Sequence, residues 1–344
     1  MYQEFYGLRD IPFNLAPDPS YLFRTDSLLE VFANLQYGIE NGKGLVVVTG
    51  EVGTGKTTIL RSMLQSLDRS ILAAYIFNPI LSTGEFFDLL AGEFRLRPQA
   101  SKAAMLRMLG YMLMSRHAQG LRTVLVVDEA HLLPHHLLEE IRLLSNFETN
   151  REKLLQVILC GQPELHDLFA QPELRQLKQR VSLKCAIQPL SQHETAEYIG
   201  WRLRVAGARD ENMFDPAALR MIHQFSGGIP RIINNICDNA LLTGFSEQTR
   251  RITRSIIEEV IGVLDLTPLE VNSPANAASS AARQDTRGRE VAHAGQSGEN
   301  VHYIRRDEDD DATARKFRFA INNDCVGEDI ALKFFSRVRV TRNS

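Results

Sequence analysis

The stretch Gly50-Glu51-Val52-Gly53-Thr54-Gly55-Lys56-Thr57-Thr58 decides the fold class of this 344-residue chain. It follows the apolar run Leu45 to Thr49 and leads into a helical pattern that begins at Lys56. Glycines allow the backbone to curl so that successive N–H groups point inward, and the N-terminus of the helix adds its positive end. The order of strand, glycine loop, Lys-Thr and helix therefore predicts a phosphate-binding loop, the Walker A motif.

The residues of this loop have different expected tasks. Lys56 is expected to contact the β and γ phosphates of a nucleoside triphosphate, and the Thr57 hydroxyl to bind Mg²⁺. A chance glycine-rich turn is the alternative, but the strand before the loop and the helix after it are the context that a true site requires. The other expected nucleotide-binding residues are Gly50, Glu51, Val52, Gly53, Thr54, Gly55 and Thr58.

A second strand supplies the acidic half of such a site, the Walker B motif. The apolar run Thr123 to Val127 predicts a strand buried on both faces, and it ends in Asp128-Glu129. Asp128 is expected to hold Mg²⁺ through its water shell, and Glu129 to polarise the attacking water as a general base. Strands commonly end in acidic residues, but the spacing after the phosphate loop favours the catalytic interpretation.

Composition indicates a globular protein of the reducing cytoplasm. The chain is 44% hydrophobic with a net charge of −3, which argues against a surface built entirely for nucleic acid. No Cys-x-x-Cys pair, signal segment or run of eighteen apolar residues occurs, so we expect neither a zinc site nor a transmembrane segment. The four cysteines, interpreted as apolar fillers, are Cys160, Cys185, Cys237 and Cys325.

Strand-like and helical runs alternate through the first half of the chain, which predicts an α/β domain with a parallel sheet. The expected strands are Leu45 to Thr49, Leu72 to Phe77, Thr123 to Val127, Leu155 to Cys160 and Val181 to Ile187. The expected helices are Lys56 to Leu67, Thr83 to Phe94, Lys102 to Ala118 and Leu137 to Phe147.

From Ser191 the pattern is helical only, which predicts a small all-helical lid. Ser191 with Glu194 forms a predicted capping box, and Asp215-Pro216 starts a second helix. Pro230 is expected in the first turn of a third helix, and Thr253 to cap a fourth that runs to about Leu264.

These patterns divide the chain into four expected parts. Residues 1–190 form the α/β nucleotide-binding domain, 191–266 the helical lid, and 267–302 a flexible linker whose composition does not support a core. Residues 303–344 form a tail with an acidic run followed by two basic, apolar segments. Two interpretations of this tail are open: a small hairpin, or a largely disordered segment.

Further motifs resemble the ExeA-like (general secretion pathway protein A) family of AAA+ P-loop ATPases. The resemblance covers about residues 1 to 265. It rests on Phe5-Tyr6-Gly7-Leu8, on Pro12-Phe13, on Leu-Leu-Ser-Asn-Phe-Glu-Thr-Asn at 143–150, and on Leu-Leu-Gln-Val-Ile-Leu-Cys-Gly-Gln-Pro-Glu-Leu at 154–165. It implies a bacterial ATPase that serves the assembly of secretion, pilus or polysaccharide-export machinery, with ATP and Mg²⁺ as ligands.

The same resemblance shapes the expected partners. A typical member continues into a membrane span and a periplasmic peptidoglycan-binding domain, and neither is recognisable in this sequence. We therefore expect a cytoplasmic ATPase that reaches the inner membrane through a partner. An envelope-assembly or secretion protein is the expected partner, and a ring or filament of identical subunits the expected assembly.

Four further residues receive roles from the resemblance. Gln162 occupies the place of the sensor-1 residue, although Gly161 and Pro163 also suit a simple turn. Arg180 is the first candidate for an arginine finger, which acts in a neighbour's site, and Arg175 is the second; a solvated helix-end arginine is the alternative. Arg231 matches the sensor-2 arginine and is expected to contact the γ phosphate.

The N-terminal stretch from Phe13 to Phe23 is rich in proline and aromatic residues and is expected to be stiff and nonhelical. In AAA+ proteins such a segment lies beside the adenine. A packing arm is the other interpretation, and both stay open.

Other functional classes share parts of this pattern. Asp128-Glu129-Ala130-His131 spells a helicase box, but such a helicase needs a second α/β lobe, and only helices are expected after Ile187. A nucleotide-binding scaffold without turnover is disfavoured by the intact Lys56, Asp128 and Glu129. A DNA-associated AAA+ ATPase of the transposition or origin-recognition type stays open, since it shares the core and uses a basic surface. Arginines available for such a surface are Arg250, Arg251, Arg254 and those of the tail.

Overall fold

The computed structural model describes residues 2–16, 18–68, 70–77, 80–210 and 212–268. The predicted linker and tail lie almost entirely outside these residues. The α-helices are α1 Tyr2–Tyr6, α2 Asp26–Glu40, α3 Lys56–Ser66, α4 Thr83–Glu93, α5 Lys102–Ala118, α6 His135–Leu144, α7 Glu164–Ala170, α8 Arg175–Lys178, α9 Gln192–Val205, α10 Pro216–Ser226, α11 Pro230–Ser246 and α12 Arg254–Val263. The strands are β1 Leu45–Gly50, β2 Ile71–Ile76, β3 Arg122–Val127, β4 Gln156–Gly161 and β5 Val181–Ile187.

The strands described form one parallel sheet in the order β2-β3-β4-β1-β5. The central strands β1, β3 and β4 are buried almost throughout, whereas the edge strands β2 and β5 are partly exposed. Parallel strands covered by helices on both faces have continuous apolar sequences, and for this reason the strands could be predicted from the sequence. The predicted α/β class with a parallel sheet is confirmed.

Side-chain alternation along β1 separates two apolar clusters, one on each face of the sheet. Leu45 and Val47 belong to the cluster that contains residues of α4, α5 and α6. Val46 and Val48 belong to the cluster that contains residues of α2 and α3. The carboxyl ends of β1, β3 and β4 therefore meet at one edge of a sheet that helices cover on both faces.

The helices after β5 have an apolar cluster of their own within the described residues, built from α9, α10, α11 and α12. Tyr6, Leu8 and Phe13 also belong to this cluster. From the sequence we expected these N-terminal residues in the α/β domain. They are far along the chain from the lid helices, so the sequence gives no sign of the contact. In the structure they pack with the helices.

Most helix starts follow the predicted caps, and one differs. The Ser191 capping box is present, with both of its reciprocal hydrogen bonds, and Asp215 Oδ1 accepts from Ala218 N at 2.6 Å. Thr253 lies at the cap position of α12, but its hydroxyl contacts Ser255 Oγ at 2.8 Å and makes no cap bond among the described residues.

Two local expectations need correction. The helix expected at Leu137 to Phe147 begins at His135 and ends at Leu144, because Pro134 sets its start and a turn follows in which Phe147 N donates to Leu144 O. The N-terminal stretch expected to be nonhelical contains a short 3₁₀ turn at Pro19–Tyr21. None of the helices in the described ranges is long and apolar enough to span a membrane.

Candidate nucleotide-binding site

The loop between β1 and α3 has the backbone that a phosphate cradle requires. Gly53 and Gly55 adopt φ values of +82° and +91°, which residues with a Cβ rarely adopt. A Cβ on Gly53 would lie 2.7 Å from the Cβ of Arg231. The sequence therefore needs glycine at position 53 both for the turn and for the close approach of α11.

Lys56 is the buried cation of this loop, with 6% of its surface exposed. Its Nζ donates to Gly50 O at 2.9 Å and to Glu51 O at 3.0 Å, and Thr54 Oγ1 donates to the same Glu51 carbonyl at 2.8 Å. The loop carbonyls thus hold the ammonium group across the turn, at the start of α3.

Asp128 links the loop to the end of β3. Its carboxylate is 2% exposed and accepts from the Thr57 hydroxyl and the Tyr75 hydroxyl, each at 2.7 Å to Oδ2, and from Glu129 N at 3.0 Å to Oδ1. The pKa of the Tyr75 phenol is raised, mainly by burial and secondly by the hydrogen bond to Asp128. The phenol is therefore protonated at neutral pH and donates this hydrogen bond. The geometry joins the two predicted motifs directly.

Glu129 has a strained backbone and an unsatisfied carboxylate oxygen. Its φ is +50°, unusual for a residue other than glycine, and Oε2 has no hydrogen-bond partner among the described residues. His131 Nδ1 lies 3.5 Å from this oxygen, but the same nitrogen accepts from Gln162 N at 3.4 Å. The Glu129 carboxylate therefore has one buried oxygen without a hydrogen-bond donor among the described residues.

A cleft of about 360 Å³ brings the predicted residues together. The phosphate loop, the N-terminal segment and the lid helices all contribute to its walls. Gly50, Glu51 and Asp128 are not on its lining. They form hydrogen bonds with Lys56 and Thr57, which are on the lining. The predicted site residues on the lining are Val52, Gly53, Thr54, Gly55, Lys56, Thr57, Thr58, Glu129, Gln162 and Arg231.

Arg231 and Gln162 reach this cleft from different elements. Arg231 is in the first turn of α11, as expected, and its backbone N donates to Gly53 O at 3.1 Å. Gln162 directly follows β4. One residue therefore approaches from the lid and the other from the sheet.

The two finger candidates are not on the described lining of the cleft. Arg180 precedes β5, at the end of the sheet opposite to the phosphate loop, and its Nη1 donates to Ser145 Oγ at 3.3 Å. A parallel strand of this length separates the two ends by roughly 20 Å. Arg175 is exposed at the start of α8. Arg180 therefore lies far from the phosphate loop of its own chain, and Arg175 is not on the cleft lining.

The N-terminal segment forms one wall of the cleft. Asn14, Leu15, Ala16 and the stretch from Tyr21 to Phe23 line it, whereas Phe13 is buried against Phe214 in the helical cluster. Phe13 therefore fits the packing-arm interpretation, and for the residues on the lining the position beside the adenine stays a prediction.

A buried cluster around Arg202 lies behind that wall and was not predicted from the sequence. Arg202, 6% exposed, donates to Pro12 O at 2.5 Å, to Asn14 O at 3.1 Å and to the Tyr198 hydroxyl at 2.8 Å. Its guanidinium lies 4.7 Å from the ring centre of Tyr21. No motif reveals the two carbonyl contacts, because 190 residues separate Arg202 from Pro12 and 188 separate it from Asn14. Tyr75, which is 53 residues from Asp128, was missed as well.

The residues present fit a nucleoside triphosphate with Mg²⁺. The positive φ values of Gly53 and Gly55 let the loop curl, and Lys56 provides a buried positive charge at its base. Thr57 and Asp128 offer adjacent oxygen donors, which are the ligands that Mg²⁺ prefers. Among the described residues no cluster of His, Cys, Asp and Glu forms a separate metal site.

Comparison with solved structures supports the fold. Cdc6p from Pyrobaculum aerophilum superimposes with a TM-score of 0.53 at 17% identity, covering 75% of this chain and 71% of that chain. The ADP form of the Aeropyrum pernix ORC2 protein gives a TM-score of 0.53 at 13% identity, covering 73% and 71%. At such identities the likeness shows the fold alone.

Sequence comparison is more specific. Residues 39–169 match the family model described as an AAA domain. Over 274 residues, 77% of this chain, the protein is 44% identical to general secretion pathway protein A of Aeromonas hydrophila. The chain spans about half, 49%, of that relative's length. Together with the joined phosphate-loop and acidic motifs, these matches show that the chain belongs to the ExeA-like (general secretion pathway protein A) family of AAA+ P-loop ATPases.

Proposed function

We propose that this protein binds and hydrolyses ATP with Mg²⁺, and that hydrolysis drives the assembly or regulation of a bacterial secretion, pilus or polysaccharide-export system. The observation that carries the chemical part is the hydrogen bond from Thr57 to the buried Asp128, beside Lys56 and Glu129. The identity with general secretion pathway protein A supports the cellular part. As part of this proposal the protein works in the cytoplasm and reaches the inner membrane through a partner.

The chain's own residues divide the work as follows. Lys56 binds phosphate oxygens, and the loop N–H groups orient them. Glu129, on the lining of the cleft, accepts a proton from the attacking water, and Gln162, also on the lining, orients that water. Arg231 contacts the γ phosphate from the lid. When bound, Mg²⁺ would be held by Thr57 and, through water, by Asp128, and it would neutralise phosphate charge.

The proposal includes a second subunit. Arg180 lies at the far end of β5 from its own phosphate loop, so as a finger it serves a neighbour's site. We therefore propose a ring or filament in which each subunit lends Arg180 to the next, with Arg175 as the alternative donor.

A DNA-associated ATPase is the alternative that the sequence leaves open. No contact among the described residues favours it, and the solved structures with this fold are too distant in sequence to assign it. Stimulation of hydrolysis by duplex DNA, and not by a secretion component, would favour that alternative.

Two substitutions test the chemistry. Lys56→Ala should lose nucleotide binding, because the phosphate cradle loses its cation, whereas Glu129→Gln should bind ATP and retain it, because only the base is removed. Retention of isotope-labelled ATP and its conversion to ADP measure both effects.

The matched controls are Lys178→Ala and Glu164→Gln, which change exposed residues of α8 and α7 and should behave as the unaltered protein. Hydrolysis at the normal rate by folded Glu129→Gln protein would show that Glu129 is not the base.

A further inference from the structure

The hydroxyl of Tyr75 is a hydrogen-bond donor to the acidic residue of the site that no motif includes. It contacts Asp128 Oδ2 at 2.7 Å, and the Thr57 hydroxyl contacts the same oxygen at 2.7 Å. Tyr75 belongs to β2, an edge strand, whereas Asp128 follows β3. A side chain from a third element therefore reaches the junction between the phosphate loop and the acidic motif.

The backbone fixes Tyr75 in this position. Tyr75 pairs with Val126 in the parallel ladder, and Asp128 N donates to Ile76 O at 2.9 Å, which extends that ladder by one bond. The Tyr75 N–H donates to Glu93 Oε2 at 3.0 Å, so α4 satisfies a backbone donor of the edge strand. Tyr75 is thus held from both sides, and the direction of its side chain is constrained.

Burial makes this contact important to Asp128. A carboxylate that is 2% exposed has lost its hydration and depends on protein donors, and a hydrogen bond to an ionised acceptor is stronger than one between neutral groups. In the proposed function the Thr57 hydroxyl also binds Mg²⁺, whereas the Tyr75 hydroxyl has no role other than its hydrogen bond to Asp128. Tyr75 can therefore keep the carboxylate oriented while Thr57 is engaged.

We propose that Tyr75 is a positioning residue for the Mg²⁺ site and that it acts by holding the Asp128 carboxylate in the orientation required by the metal's water shell. This inference rests on the proposed function, since it concerns the Mg²⁺-dependent part of nucleotide binding. It predicts that Tyr75 contributes to the gain in affinity that Mg²⁺ provides and leaves the phosphate cradle itself unaffected.

The test compares the dissociation constant of a fluorescent ATP analogue in Mg²⁺ and in EDTA, for the full chain. Tyr75→Phe keeps the ring and removes the hydroxyl. The ratio of the two constants should change about tenfold, as expected for the loss of one hydrogen bond to a carboxylate, while the value in EDTA stays within about twofold. Tyr6→Phe is the matched control, since its hydroxyl donates to Thr249 O at 3.1 Å in the helical cluster.

The outcomes separate this inference from the proposed function. If unaltered protein binds the analogue with a clear Mg²⁺ dependence but Tyr75→Phe shows the same ratio, with an unchanged melting temperature, Tyr75 does not position the metal site. Equal weakening in Mg²⁺ and in EDTA would also overturn the inference, because it would indicate a packing role only. Absence of any Mg²⁺ dependence in the unaltered protein would overturn the proposed function and this inference with it.

Discussion

At the scale of single residues, Gly53 connects two parts of the molecule. Its positive φ shapes the phosphate loop, its carbonyl accepts the Arg231 N–H at 3.1 Å, and its missing side chain leaves room for Arg231 and Ile229. A change in the loop at this residue therefore directly affects the position of the start of α11.

Gly53→Ala should weaken nucleotide binding at least tenfold, because the added Cβ is strained at this φ, typically by about 1–3 kcal/mol, and displaces Arg231. Titration with a fluorescent ATP analogue measures the loss. Gly92→Ala is the control: it lies in α4, a Cβ there meets nothing within 4 Å, and alanine in a helix should stabilise the protein by about 0.5–1 kcal/mol. Equal affinities in the two variants would contradict the role assigned to Gly53.

The sequence alone identifies part of this site for a physical reason. Lys56, Thr57 and Asp128 were predicted because each occupies a fixed place relative to a strand end, and parallel strands bring their carboxyl ends to one edge. Tyr75 and Arg202 could not be predicted in this way. Their contacts depend on sheet order and on packing between distant segments, which leave no local pattern.

At the scale of elements, helix starts show the difference between a capping sequence and a capping bond. Ser191 and Thr253 both precede apolar helical patterns, and the sequence predicts a cap at each. Only at Ser191 does the structure show the side-chain cap bond, with Glu194 completing the box. A Ser or Thr at the cap position in the sequence therefore does not by itself establish that its side chain stabilises the helix.

Ser191→Ala should lower the free energy of unfolding by about 1 kcal/mol, because an N–H at the start of α9 loses its acceptor. Thr253→Ala is the matched comparison and should change it by less than about 0.5 kcal/mol. Urea denaturation of both variants measures the difference. A larger loss at Thr253 than at Ser191 would show that the cap geometry does not decide the stability.

The N-terminal segment is tied to α9 by one buried side chain. Arg202 binds the Pro12 and Asn14 carbonyls, and Phe13 between them is 1% exposed in the helical cluster. The segment thus belongs energetically with the lid helices even though it precedes the sheet in the chain. This contact explains how a proline-rich stretch forms a defined wall of the cleft.

Arg202→Met should reduce the free energy of unfolding by about 2–4 kcal/mol, because it keeps an apolar stem but leaves buried carbonyls without their donor. Arg209→Met, at an exposed position just after α9, is the control and should change it by less than about 0.5 kcal/mol. Chemical denaturation of both proteins provides the comparison. Similar values for the two would contradict the clamping role of Arg202.

At the scale of the whole molecule, the described part of the chain contains the phosphate cradle and the acidic pair but places Arg180 at the other end of the sheet. We therefore propose, as the central claim, that ATP is hydrolysed in this cleft with an arginine from a second subunit. The family resemblance suggested the arginine, and the parallel pairing of β1 with β5 puts Arg180 at the end of the sheet away from its own phosphate loop, so we propose that it acts in a neighbouring subunit.

The most direct measurement is steady-state ATP hydrolysis by an equimolar mixture of Arg180→Ala and Lys56→Ala proteins. Each should be nearly inactive alone, and the mixture should regain hydrolysis, because the lysine variant can lend Arg180 to the intact phosphate loop of the other. A mixture of Arg175→Ala and Lys56→Ala proteins tests the second candidate in parallel. Recovery with Arg180→Ala is the predicted result; no recovery in either mixture, with all variants folded and the unaltered protein active, would contradict the account.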